Sequence, residues 1–216
     1  LWGISIESGR LEAPYYMPDE DIYQITKGIN KAKAEPAYVD IEFKNGIPVK
    51  LNGKAMNGVD LIFKLAKIAG DAGVGRSDMV ENRLVGIKSR EIYEAPAGWT
   101  LHAAHKALES LVLDRELLHF KDMIALKYAE LVYYGLWYTP LREALDKFID
   151  DTQKNVNGMV KIKLHKGNCV VVGRKSPNSL YKKELATYEE GDKFDQSLAK
   201  GFIEIWGLPY KGSYSK

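Results

Sequence analysis

An α+β fold, with antiparallel hairpins packed against several long helices, is what this 216-residue sequence predicts. Three observations carry that reading. Two hairpin signatures stand far apart, one around Asn45-Gly46 and one around Lys166-Gly167-Asn168. Between them lies a block of helical hydrophobic stripes. Strands and helices therefore come in separate blocks instead of alternating, and this argues against a doubly wound parallel sheet.

In chain order, residues 1–7 alternate as a strand does, and Ser8-Gly9 ends it. Residues 11–36 hold Pro14, Pro18 and Pro36 around a short possible helix from Asp19 to Thr26, and read as a connector. Val39, Ile41 and Phe43 then alternate with polar residues, and Ile47, Val49 and Leu51 return. Asn45-Gly46 suits the tight turn between them because its centre needs positive φ. A stripe of Leu61, Ile62, Leu65, Ile68 and Ala69 predicts a helix over 58–69, stopped by Gly70. Residues 73–97 read as two strands joined near Gly86–Ser89.

Leu101, Ala104, Leu108 and Leu111 mark the next helix, and Asp114 is placed to cap the one after it. Thr139 stands as N-cap of a third, with Pro140 at its first position, where a missing N–H costs nothing. Val160, Ile162 and Leu164 open the second hairpin. The apolar run from Cys169 to Val172 on its return strand predicts burial on both faces. Asp195 is placed to cap a last short helix ended by Gly201, ahead of a short tail over 210–216.

Composition narrows the function classes. Hydrophobic residues make up 45% and charged residues 28%, as in ordinary globular domains, and the net charge of +2 points to neither nucleic acid nor a membrane as partner. No apolar stretch approaches the roughly 18 residues of a membrane span. The single cysteine, Cys169, excludes an intrachain disulfide and a CxxC metal site, and favours a reducing, cytoplasmic setting. The chain opens on Leu1-Trp2-Gly3-Ile4, without Met, and such an alternating start reads as an interior stretch of a longer protein.

Generic catalytic motifs are absent: there is no phosphate loop and no HExxH. Gly73-Val74-Gly75 begins like a dinucleotide fingerprint, but Asp78 occupies the third glycine position, so a turn is the better reading. His102 and His105 lie three apart on a helix without a third ligand nearby, which favours surface or capping roles over a metal. Three further residues invite attention. Glu81 interrupts a segment that should pack as a strand, and is either on a wet face or held for a cationic ligand. Tyr93 ends the next extended run with a hydroxyl that needs a partner if buried, and Ser5 alternates with Ile4 and Ile6.

From Leu1 to about Pro209 the chain resembles the C-terminal portion of the argininosuccinate synthase family. The matching segments are Leu1 to Glu7 with Leu11-Glu12, Gly73 to Arg83, Gly86 to Pro96, Leu101 to His105, Lys127 to Tyr133, Lys166 to Asn168, Val172 to Pro177, Ser179 to Tyr181 and Gly201 to Ile203. Gly98-Trp99 departs from the family pattern without touching the candidate site residues. The resemblance implies a single synthetase-type domain over 1–209, with 1–36 connecting to an ATP-binding front half that this chain lacks, and 210–216 as a tail.

It also implies ligation of citrulline to aspartate through a citrullyl-adenylate, with ATP cleaved to AMP and pyrophosphate. ATP, with Mg, would be bound mainly by the missing half, so the chain alone is expected to be inactive. In this portion the resemblance assigns a citrulline-binding role to Ser5, Glu81 and Tyr93, and no catalytic residue or metal ligand. A homotetramer is implied, with Tyr133, Tyr134, Trp137 and Tyr138 suited either to subunit contacts or to a core cluster. The alternative is a stand-alone binding or oligomerisation module that does no chemistry.

Overall fold

Alternation and turn chemistry build the first hairpin as expected. β1 is the short strand Ile4–Ile6; β2 (Ala37–Lys44) and β3 (Ile47–Leu51) are joined by Asn45-Gly46, both at positive φ. β4 (Lys54–Ala55) adds two residues to the edge. α1 (Gly58–Asp71) starts on Asn57, whose side chain accepts from the Asp60 N–H, and buries Leu61, Ile62 and Leu65. The computed structural model describes residues 1–186 and 193–212, which fall into two compact units, Leu1–Leu180 and Tyr181–Lys216.

β5 (Arg76–Asn82) and β6 (Lys88–Glu94) form the second pair of strands. Three helices follow, α2 (Pro96–Val112), α3 (Arg115–Tyr133) and α4 (Pro140–Gln153), then β7 (Gly158–His165) and β8 (Asn168–Lys175). Asp114 caps α3 by accepting from the Leu117 N–H. The five-stranded sheet runs β4-β3-β2-β7-β8 and the three-stranded sheet β1-β6-β5, every pairing antiparallel. The α+β class is thus the observed one. α1 and α2 pack on one face of the five-stranded sheet, where Val39, Ile41, Phe43, Leu108, Ile162 and Leu164 meet in one core. Each fully buried side chain of this kind contributes about 1.5–3 kcal/mol.

Several expectations are corrected. Gly70 does not stop α1, which ends at Asp71; Gly73, at φ +75°, follows it. Gly70 serves close approach instead, since a Cβ there would lie 2.2 Å from the Ile25 carbonyl oxygen. The helix expected from Asp19 to Thr26 is only a single 3-10 turn, Glu20–Ile22. The N–H groups of Gln24, Ile25 and Thr26 bind the Glu94 carboxylate, so no helical ladder can use them. Thr139 occupies the N-cap position of α4 but makes no side-chain cap, because its hydroxyl donates to the Leu136 carbonyl.

β8 is not buried on both faces. It is an edge strand, with Cys169 and Val171 against the core and Val170 and Val172 turned outward. An apolar run reports burial on both faces only for an interior strand. Nor is His105 a surface residue: its ring packs edge-on against Phe43, and Nε2 bonds Gln153 Oε1 at 2.8 Å.

In the second unit, α5 (Lys183–Ala186) precedes α6 (Leu198–Gly207), which passes through Gly201 and continues to Gly207. Asp195 Oδ1 accepts from the Ser197 N–H just ahead of it. Residues 213–216 of the expected tail lie outside the described residues. Among the described residues no helix is long and apolar enough to cross a membrane.

Candidate functional site

The three-stranded sheet decides which side chains meet. Its register sets Ser5 and Ser77 on either side of Tyr93, Met79 opposite Glu91, and Glu81 opposite Ser89. Cross-strand partners share a face, and so do residues two apart on a strand. Ser5, Ser77, Glu81, Ser89, Glu91 and Tyr93 therefore project from one face. Ser5 and Met79 there are exposed, while Glu81 and Tyr93 are half-buried.

Tyr93 leans along the sheet toward Glu81, over the row that holds Glu91. Its hydroxyl donates toward Glu81 Oε1, and toward Glu91 Oε2 at 2.9 Å. A phenol has one proton, so it serves one of these carboxylates at a time. Burial pushes the Tyr93 pKa far up, and the two neighbouring carboxylates push it further, so the group stays a neutral donor. Glu91 is the better supported of the acids. The Tyr93 hydroxyl, then Ser89 and Arg83, hold its carboxyl below the usual range against the effect of burial. Ser89 Oγ donates to Glu91 Oε1 at 3.1 Å, and Arg83 Nη2 lies 3.4 Å from the same oxygen. Among the described residues Glu81 has the Tyr93 hydroxyl as its partner and no cation.

The opposite face of the same sheet is a fastening. Fully buried Glu94 accepts from the backbone N–H groups of Gln24 and Thr26 at 2.7 and 2.8 Å, and from the Thr26 hydroxyl. Arg76 donates to Thr26 and Glu20 and lies over the Tyr23 ring, 3.4 Å from its centroid. Arg90 grips Asp78 through two nitrogens. Gly75, at φ +107°, lets β5 pass against the start of α2, where a Cβ would lie 2.4 Å from Pro96 Cα. This accounts for the Gly-Val-Gly segment as a turn.

All three residues singled out in the sequence, Ser5, Glu81 and Tyr93, thus lie on one open face. Glu91, Arg83 and Ser89 were missed. For Ser89 and Glu91 a signal was available, since they alternate with Tyr93 on one strand; Arg83, just past the end of β5, offered none. The cavity of about 620 Å³ beside Lys27, Lys31, Arg76 and Trp99 contains none of the three. Its Lys27 and Arg76 are already paired, with Asp71 and Glu20. Among the described residues no group of three or more His, Cys, Asp and Glu side chains is arranged to hold a metal.

On its open face the three-stranded sheet of this α+β domain thus presents a carboxylate, Glu81, beside a half-buried phenol, Tyr93. The family is more specific. The model of the Arginosuccinate synthase C-terminal domain matches residues 1–213, and the chain belongs to that family. It is 56% identical over 209 residues to the argininosuccinate synthase of Gloeobacter violaceus, covering 97% of this chain and 52% of that protein. The argininosuccinate synthase of Chlorobaculum parvum is 54% identical over 216 residues, covering 100% of this chain and 54% of the relative. That of a Synechococcus strain is 57% identical over 209 residues, covering 97% and 52%. The chain spans about half the length of the curated relatives it matches.

Proposed function

We propose that this chain forms one wall of the citrulline pocket of an argininosuccinate synthase, with residues 1–209 acting as its synthetase domain. In the whole protein, citrulline and aspartate are joined at the expense of ATP. The ureido oxygen attacks the α-phosphorus to give a citrullyl-adenylate, pyrophosphate leaves, and the aspartate amine then displaces AMP. ATP with Mg is held by an ATP-binding half outside this chain, which also supplies the rest of the citrulline site. The isolated chain is accordingly expected to turn over no ATP.

The observation that carries this reading is that Ser5, Glu81 and Tyr93 share one sheet face, with Ser5 opposite Tyr93 and Tyr93 donating to Glu81. Citrulline presents an ammonium, a carboxylate and a neutral ureido group. Among the described residues Glu81 has no cation beside it, and it suits the ammonium as a charge-assisted acceptor. The two hydroxyls orient the rest of the molecule, a contribution to positioning more than to proton transfer. The test is Glu81→Gln in the chain joined to an ATP-binding half. The KM for citrulline should rise about 10- to 100-fold, as for loss of a charged hydrogen bond, while that for ATP stays within about twofold. Equal losses for both substrates would make Glu81 structural and sink the assignment.

The same reading includes a homotetramer in a reducing cytoplasm. Support for subunit contacts comes from exposed aromatics at the α3–α4 turn, among them Tyr133, Trp137 and Tyr138, and separately from the apolar side chains Phe202, Ile203 and Trp206 of α6. Sedimentation of the chain should give a species four times the monomer mass. A monomer at micromolar concentration would overturn the tetramer.

A further inference from the structure

We infer that Glu91 is a positioning residue for the same pocket: it is the alternative acceptor that lets the Tyr93 hydroxyl turn away from Glu81 when a cationic ligand group arrives. The inference rests on the citrulline reading and adds to it a residue and a mechanism. Its basis is the pair of carboxylates at one phenol. Tyr93 reaches both Glu81 and Glu91 with a single proton. Two ionised carboxylates beside one hydroxyl repel each other unless something offsets one of them. That offset is asymmetric. Glu91 sits low on the face, its side chain only 10% exposed, and is held by Arg83 and Ser89. Arg83 is itself fixed by its Nε bond to Ser89 Oγ at 3.0 Å. Glu81, nearer the open side, has neither.

The consequence is a directional exchange of hydrogen bonds without any net proton transfer. With the pocket empty, the hydroxyl donates to Glu81 and relieves its lack of a cation. When an ammonium group reaches Glu81, that donation becomes competition for the same oxygen. The hydroxyl then rotates its proton to Glu91 Oε2, already within bonding distance, and offers a lone pair to a second ammonium N–H. Glu81 and the phenol oxygen thereby grip the cation together. Arg83 and Ser89 keep Glu91 in place to receive the proton and, by holding it ionised, keep it an acceptor.

The test uses the chain joined to an ATP-binding half, with Glu91→Gln made alone and in a Tyr93→Phe background. The single substitution should raise the KM for citrulline about 5- to 30-fold, the size of one hydrogen bond, with kcat within about twofold. In the Tyr93→Phe background the same change should have no further effect, because the hydroxyl through which Glu91 acts is gone. A Glu91→Met variant that folds should match or exceed the loss seen with Gln. Equal losses from Glu91→Gln with and without the hydroxyl would reduce Glu91 to a scaffold residue. If Glu81→Gln raises the KM while Glu91→Gln does not, this inference fails and the citrulline reading stands. If neither moves it, the citrulline reading itself has failed.

Discussion

The two sheets of this molecule follow different rules. The five-stranded sheet buries Val39, Ile41, Phe43, Val160, Ile162 and Leu164 under α1 and α2, and period-two alternation explains it almost completely. The three-stranded sheet buries carboxylates. Glu94 is fully enclosed on one face and Glu91 nearly so on the other, each with its own donors. A buried methyl group needs only neighbours, whereas a buried charge needs partners of the right sign at the right place. The interior strands of a sheet made for packing can therefore be read one at a time, whereas a sheet made for recognition can be read only after its strands are paired.

The largest expected effect separates the sheets by stability. Ile162→Ala, in the middle of the apolar core, should cost about 2–5 kcal/mol in urea unfolding. Glu94→Gln replaces an acceptor of several N–H bonds with a side chain that is half donor, and should cost about 1–3 kcal/mol. It should also loosen residues 24–26, seen as faster amide exchange there than in β2. If Glu94→Gln proved harmless, the bonds from residues 24–26 to Glu94 would fasten nothing, and the two sheets would not differ in what holds them.

Glu81→Gln should move unfolding stability by less than about 0.5 kcal/mol, because Glu81 lies on the open side and has no cation to lose among the described residues. The same substitution carries the large effect on citrulline described above. A loss of stability comparable to that of Glu94→Gln would show that Glu81 braces the sheet and is not held for a ligand.

How much was legible beforehand follows the same division. Asn45-Gly46 announced a turn, and the alternation on either side of it announced a hairpin, because both signals are local. Asp114 announced a cap for the same reason. The errors came where a distant partner overrides local preference. Gly70 looked like a helix stop, but its missing Cβ makes room for the Ile25 carbonyl, 45 residues away in sequence. The segment from Asp19 to Thr26 looked helical until Glu94 took its N–H groups. Val170 and Val172 looked buried because nothing in a single strand says that it lies at an edge. Ser5, Glu81 and Tyr93 came from family resemblance. Their shared face required the register, which also set Glu91 and Ser89 beside them, while Arg83 entered only through its side-chain contacts.

The smallest expected effects concern pH, where the two regions should respond in different windows. His105, in the core region, has its pKa lowered from the ordinary 6.5, chiefly by burial. Lys121 and His102 add to the lowering, while Glu109 and the bond to Gln153 oppose it. The unfolded chain binds a proton at this residue more readily than the folded one. Its contribution to stability is therefore complete above about pH 6.5 and declines as pH falls from there toward the folded pKa. Glu91 behaves differently. Its folded pKa lies below the ordinary 4.5, through Tyr93 first and then Ser89 and Arg83, so its contribution is complete above about pH 4.5 and lost only in stronger acid. Asp78, lowered from 3.8 by Arg90, follows the same course. Urea midpoints between about pH 8 and 3 should show two arms. His105→Gln should flatten the arm just below neutrality and leave the acid arm intact, whereas Glu91→Gln should only make the acid arm shallower, since Asp78 still contributes to it, and leave the other unchanged. A His105→Gln chain that kept its full slope below neutrality would move that titration out of the core and erase the distinction between the regions.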